Sequence, residues 1–307
     1  MGISKSEYRN KPECLTLRLR KTELTLPLMP VLCLLSSVLC LLAGCAPQIR
    51  EPMRLCPGAD SAVDLLSLLK GQLENAVPLK AAGRCLLNYY TEAKPHKENF
   101  PVKLWANPPA EIYLQGDVAF DAKGIVLGSN KDEFWLSIKP KEVSTYWWGR
   151  WSKQAHFKGL IVSPKLMLKA LGIVEITTEE NWSLSKEGGF DVLTKRQDMM
   201  VKRIYVDSCD YLVRKIEYFD ADKPIAVAGL DRYREVAVDL FVPALIKIVA
   251  YTADNKENST SMTISLSSIK PASFTEKQRN RLFTRPVPQG FEHIYKIIDG
   301  DAIEQTR

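Results

Sequence analysis

The stretch Glu111 to Phe120, EIYLQGDVAF, alternates strictly between apolar and polar residues. Ile112, Leu114, Gly116, Val118 and Phe120 share one face; Glu111, Tyr113, Gln115 and Asp117 share the other. A period of two suits a strand and not a helix, and a strand with one dry and one wet face belongs to an antiparallel sheet. Similar runs recur on both sides. Leu79–Thr91 comes first, with Gly83 marking a bulge or bend. Phe100–Ala106 places Val102 and Leu104 on one face, and Asn107-Pro108-Pro109 turns the chain. Beyond the alternating stretch, Asp121-Ala122-Lys123-Gly124 reads as a hairpin turn. Ile125–Gly128, Phe134–Ile138 and Glu142–Trp148 then follow as short strands separated by turns. After residue 180 the pattern resumes with Trp182–Ser185, Phe190–Lys195, Met200–Val206, Leu212–Phe219, Ile225–Tyr233, Leu245–Tyr251 and Met262–Leu266. Strands at short spacing with turn residues between them read as a meander.

Two segments break this rhythm. Ser61–Ala76 carries Ala62, Leu65, Leu66, Leu69 and Leu73 at helical spacing, with Ser61 and Asp64 as a weak capping box and Pro78 as the stop. Ser163-Pro164 opens a second helix, with Leu166, Met167, Leu168 and Leu171 apolar and Gly172 at its end. The C-terminal run RLFTRPVPQGFEHIYKIID reads as prolines followed by a short apolar tail. The expected class is mainly β with a few helices.

Composition excludes some functions. The net charge is +6, but residues 1–44 hold six basic and three acidic side chains, so half of that excess sits in the leader. No basic cluster with interleaved aromatics appears, so no nucleic-acid partner is expected. His96, His156 and His293 have no second ligand at metal spacing. Neither a G-x-S-x-G elbow nor a P-loop occurs. Asp207-Ser208-Cys209-Asp210 reads as a hairpin turn holding a thiol, and Glu179-Glu180 and Asp220/Asp222 as solvated loops. The chain reads as a non-enzyme with no metal and no cofactor; an envelope hydrolase is the disfavoured alternative.

The leader narrows the setting. Val31–Cys45, VLCLLSSVLCLLAGC, follows basic residues and ends in Leu42-Ala43-Gly44-Cys45. This resembles a bacterial lipoprotein signal with its lipobox. The resemblance implies cleavage before Cys45, a diacylglycerol thioether on Cys45 and acylation, as with palmitate, of the new N-terminus. A retained anchor helix is the alternative, since Leu24–Ile49 is uncharged and long enough to span. The expected divisions are a signal peptide at 1–44, a lipidated proline-rich tether at 45–60, one domain at 61–300 and a tail at 301–307. Ala46 in place of aspartate points to the outer membrane, facing the periplasm. Of the seven cysteines, Cys56, Cys85 and Cys209 remain for pairing once the leader and Cys45 are set aside. An oxidising compartment permits one bridge. Cys56–Cys85 would tie the tether to the first strand, and Cys85–Cys209 would join two strands. The absence of any bridge is the third option, because spacing assigns no connectivity.

The order of elements resembles the LolA/LolB lipoprotein-carrier superfamily. VKLWANPPAEIYLQGD (102–117) is similar to its strand–proline–strand opening, and FWLSIKPKEVSTYWWG (134–149) to the next hairpin. SPKLMLKALG (163–172) resembles its lid helix, and TRPVPQGFEHI (284–294) its closing segment. The resemblance implies a strongly curved, unclosed half-barrel whose concave face is covered by helices over an acyl-chain cavity. Candidate cavity residues are Leu104, Ile112, Leu114 and Val118, then Phe134, Leu136 and Trp148, and from the second helix Leu166, Met167 and Leu171. Trp147 and Trp151 are candidates for membrane contact, against the plainer reading that they cover neighbouring strands. Implied partners are the membrane, through the lipid on Cys45, and the acyl chains of lipids or lipoproteins, held by a monomer. A filled core in an adaptor lipoprotein is the other reading of the same pattern.

Overall fold

The structure is a computed structural model. It describes residues 56–91, 94–118, 121–140, 143–151, 181–251, 259–298 and 301–305, all within one compact unit, Met53–Arg307. Cys45 and the helix expected at Ser163–Gly172, with Leu166, Met167 and Leu171, lie outside the described residues.

The first described element is α1, Ala62–Glu74. Ser61 caps it as expected, its hydroxyl accepting from the Asp64 N–H at 3.1 Å. Six strands follow: β1 Leu79–Thr91, β2 Lys94–Asn107, β3 Glu111–Val118, β4 Asp121–Ser129, β5 Glu133–Ile138 and β6 Thr145–Arg150. After residue 181 come β7 Trp182–Glu187, β8 Phe190–Gln197, β9 Met200–Asp207 and β10 Val213–Asp220. Then come β11 Lys223–Ala237, β12 Leu240–Ala250 and β13 Thr260–Pro271. The chain closes with α2 Glu276–Phe283, β14 His293–Ile298 and β15 Asp301–Glu304.

The fifteen strands among the described residues form one open, curved sheet, ordered β15-β14-β6-β5-β4-β3-β2-β1-β13-β12-β11-β10-β9-β8-β7. The pairing is antiparallel throughout except for β14 beside β6. A meander closes each half, and β1 pairing with β13 joins the halves. Gly83 lies at a register shift in that pairing, and a Cβ there would sit 2.1 Å from the Ser265 carbonyl oxygen. The backbones approach so closely that only glycine fits.

Three expectations change. The turn expected at Asp121–Gly124 is already strand, because β4 starts at Asp121. The C-terminal run is no tail: residues 293–298 and 301–304 add two strands to the sheet. Of the two described helices, only α1 lies on the apolar face. α2 lies on the opposite face, where Gln278 and Leu282 border a cleft with Lys80 and Trp105 and Arg279 pairs with Glu111 at 3.0 Å.

Candidate functional site

One face of the sheet is apolar across most of its strands. The register makes this explicit. Leu184, Leu193, Ile204, Ile216, Ala228 and Ile248 are successive cross-strand partners from β7 to β12. In the other half, Ala81, Leu104, Leu114, Leu127, Leu136 and Trp147 form a second, offset line from β1 to β6. Because side chains alternate, each ladder fixes its half of the face. These residues belong to or pack against one cluster, and Leu193, Ile204, Ile216 and Ala228 are fully buried. α1 adds Leu65, Leu66 and Leu69 to it.

The structure brings six of the candidate cavity residues together here: Leu104, Ile112, Leu114, Val118, Phe134 and Leu136. Trp148 is a correction. It packs on the opposite face, beside Trp135, Tyr146 and Phe291. In β6 the period of two puts Trp147 and Gly149 on the apolar face, so Trp148 must point away from it. Trp147 and Trp151 pack against the large cluster, Trp147 stacked on Tyr295 at 4.4 Å and Trp151 against Phe134 at 4.9 Å. Both are half-buried at the margin of that cluster.

The far half of the face was not nominated from the sequence. Its signal was present: Ile246 and Ile248, and Met262, Ile264 and Leu266, alternate like the first half. Trp182 and Tyr218 border this half. Lys202 Nζ lies 5.2 Å from the Trp182 ring. Burial pushes the Tyr218 phenol upward, so it stays neutral.

Near α1 the apolar side opens into a narrow cleft of about 30 Å³, bordered by Leu69, Val77, Val213, Tyr233 and Leu240. The Tyr233 hydroxyl donates to the Val213 carbonyl, which fixes one wall. A larger cleft of about 360 Å³ lies on the opposite face between Lys80, Trp105, Ser273 and Gln278, and polar groups dominate it.

The cysteines pair differently from either bridge considered. Cys56 is bonded to Cys209, with Cα atoms 5.1 Å apart. Cys85 is a free thiol buried inside the apolar cluster between Phe100 and Ile264. Its strand position points it into the core, away from both partners. Desolvation pushes that thiol up to about 12, so it is unreactive. The Asp207–Asp210 stretch is a turn, as expected, but its thiol is the bonded one. Asp207 Oδ1 accepts from the Cys209 N–H at 2.9 Å. His96 stacks on Tyr89 at 5.0 Å, and His293 Nδ1 meets Glu304 at 2.7 Å. His156 lies outside the described residues. Among the described residues no three His, Cys, Asp or Glu side chains gather as a metal site, and no helix is long and apolar enough to cross a membrane.

No family model matches the chain, and no curated protein matches it. Solved structures do. A domain assigned to outer membrane lipoprotein sorting, from Vibrio parahaemolyticus, is 13% identical with a TM-score of 0.49 and covers 71% of this chain and 96% of its own. A LolA superfamily protein from Nitrosomonas europaea is 12% identical at 0.47, covering 74% and 99%. A DUF1329 family protein from Desulfovibrio piger is 13% identical at 0.45, covering 71% and 94%. The Nitrosomonas europaea protein bears the superfamily name that the sequence motifs suggested. At such scores they carry no argument about function, which rests on the geometry above.

Proposed function

We propose that this is a lipid-anchored envelope protein that binds acyl chains, of lipids or of lipidated proteins, on the apolar face of its open sheet. The observation supporting this most is the apolar cluster that two ladders, β7 to β12 and β1 to β6, build on one face of the sheet. It is far longer than the strip α1 covers with Leu65, Leu66 and Leu69. In this reading the face is the concave one, and α1 covers part of it. Burying a chain there gains roughly 0.8 kcal/mol per methylene, opposed by the cost of opening the cover. A carrier needs that balance, so that cargo is held yet surrendered to a bilayer. The anchor is the thioether on Cys45, the setting is the periplasmic side of the outer membrane, and the role is reception or transport of lipoproteins without catalysis.

The narrowness of the cleft, about 30 Å³, favours a second reading: an anchored adaptor with a filled core. The two differ in what co-purifies. A soluble form beginning after Cys45 is isolated and its lipids extracted for mass spectrometry. The carrier reading expects stoichiometric acyl lipid. No recovered lipid, together with no displacement of a fluorescent fatty acid, would leave the adaptor.

A further inference from the structure

The N-terminal segment is fastened where it enters the domain. Cys56 is bonded to Cys209 in the turn between β9 and β10. Three residues on, the Ala59 N–H donates to Asp191 Oδ2 at 2.6 Å. Asp191 is fully buried, and its other oxygen accepts from the Ser208 hydroxyl at 3.2 Å. Lys186 Nζ donates to the Pro57 carbonyl. Gly58 takes a left-handed φ of +70°, and a Cβ there would lie 2.4 Å from Asp191 Oδ1. Residues 56–59 are thus held by a covalent bond, a buried carboxylate and an ammonium before α1 begins.

All these contacts sit at one end of the sheet. The meander puts the β7–β8, β9–β10 and β11–β12 turns at that end and the β8–β9 and β10–β11 turns at the other. The narrow cleft opens at the fastened end, between α1 and the β11–β12 hairpin. Gln72 of α1 also donates to the Tyr211 carbonyl there, at 3.3 Å.

We propose that this knot decides which end of the sheet faces the bilayer, turning the cleft end toward it. The inference rests on the reading of Cys45 as the lipid anchor. Cys56 follows Cys45 by eleven residues. Such a length spans about 18 Å on average as a flexible chain and about 40 Å at most. The eight residues of β9 set the far turns roughly 27 Å beyond the knot. A short tether fixed at one end therefore keeps that end nearest the membrane. Acyl cargo leaving the cleft then has the shortest path to lipid.

The test uses the full lipidated chain on vesicles of phosphatidylcholine and phosphatidylglycerol containing a spin-labelled quencher lipid. A fluorophore is placed by Val238→Cys at the β11–β12 tip, or by Met199→Cys at the opposite end; both positions are exposed. Buried Cys85, 1% exposed, does not compete for label. The expected result is several-fold stronger quenching at position 238 than at 199. Cys56→Ser with Cys209→Ser should narrow that ratio. Inserting a long Gly/Ser segment between Cys45 and Cys56, which leaves the knot and the folded domain untouched, should narrow it too. Equal quenching at the two ends, stronger quenching at 199, or a ratio unmoved by the longer tether would overturn the proposal. A chain that fails to bind vesicles at all overturns the anchored-carrier reading, and this inference with it.

Discussion

The two faces of the sheet solve burial differently. The large cluster is mostly aliphatic, a field of Leu, Ile and Val with Phe100 and Phe134 among them. The small cluster on the opposite face is mostly aromatic: Trp135, Tyr146 and Phe291, with Val126. It is also bolted shut. The Tyr146 hydroxyl donates to the Pro286 carbonyl at 2.7 Å, Arg285 pairs with Glu133 at 2.8 Å, and the Arg285 guanidinium lies 4.1 Å from the Trp148 ring. These links strap residues 284–292 across the outer face. No comparable strap crosses the aliphatic face among the described residues: its described cover is α1, held mainly through its leucines and the Cys56–Cys209 knot. A bolted aromatic core suits a part that stays closed, whereas an aliphatic face that its described helix covers only in part suits one that takes a ligand.

The largest expected effect tests the bolted side. Trp135 is fully buried, and Trp135→Ala should cost about 3–5 kcal/mol in urea unfolding. Fatty acid should not restore that loss, because the outer cluster has no role in binding. Leu193→Ala on the aliphatic face should cost about 2–5 kcal/mol in buffer. A saturating fatty acid should recover part of it, since an acyl chain can occupy the space. Equal rescue of both variants would erase the distinction between the faces. Cys56→Ser with Cys209→Ser should cost about 2–4 kcal/mol, the usual value for a bridge closing a long loop. It should also speed exchange of bound acyl probe, by loosening α1.

Alkaline pH should expose the buried acids of both faces at a scale that vanishes near neutrality. Burial raises Cys85, on the aliphatic face, from 9.0 to about 12, and Tyr146, in the aromatic cluster, from 10.0 to about 12. A raised acid keeps its proton in the fold while the unfolded chain loses it. Stability is therefore fully present below the unfolded value and falls as pH rises toward the folded one. Denaturation followed against pH should show a decline from about 9 that Cys85→Ala removes, and a further one from about 10 that Tyr146→Phe reduces.

The meander was legible because strand alternation is local. Glu111–Val118 states its own faces, and Gly83 announced its bulge. The last strands were not. His293–Ile298 lies beside β6 in parallel, a pairing reached only through α2 and the strap, and no neighbouring turn advertises it. α2 itself was missed although Thr275 and Gln278 form a capping box, because its eight residues carry little apolar periodicity. β12 was started five residues late, since Pro243 in FVPALIK reads as a strand breaker. It is tolerated because β13 pairs with β12 only from Leu245 onward, so Pro243 has a neighbour on one side alone. Within the candidate site, Trp148 was misplaced by a single residue in a tryptophan pair, where a period of two gives the neighbours opposite faces. The Cys56–Cys209 bond spans 153 residues and follows from tertiary geometry, which spacing does not encode.

The six tryptophans report directly on which face holds the cargo. Trp147, Trp151 and Trp182 border the aliphatic cluster, while Trp105, Trp135 and Trp148 lie on the other side. A fatty acid brominated along its chain quenches indoles that it touches. Titrated into the soluble form, it should quench a variant that retains only the first three, the others being replaced by phenylalanine. It should leave dark-to-bright intensity unchanged in the reciprocal variant. Quenching confined to Trp105, Trp135 and Trp148, or none in either variant, would contradict binding on the aliphatic face.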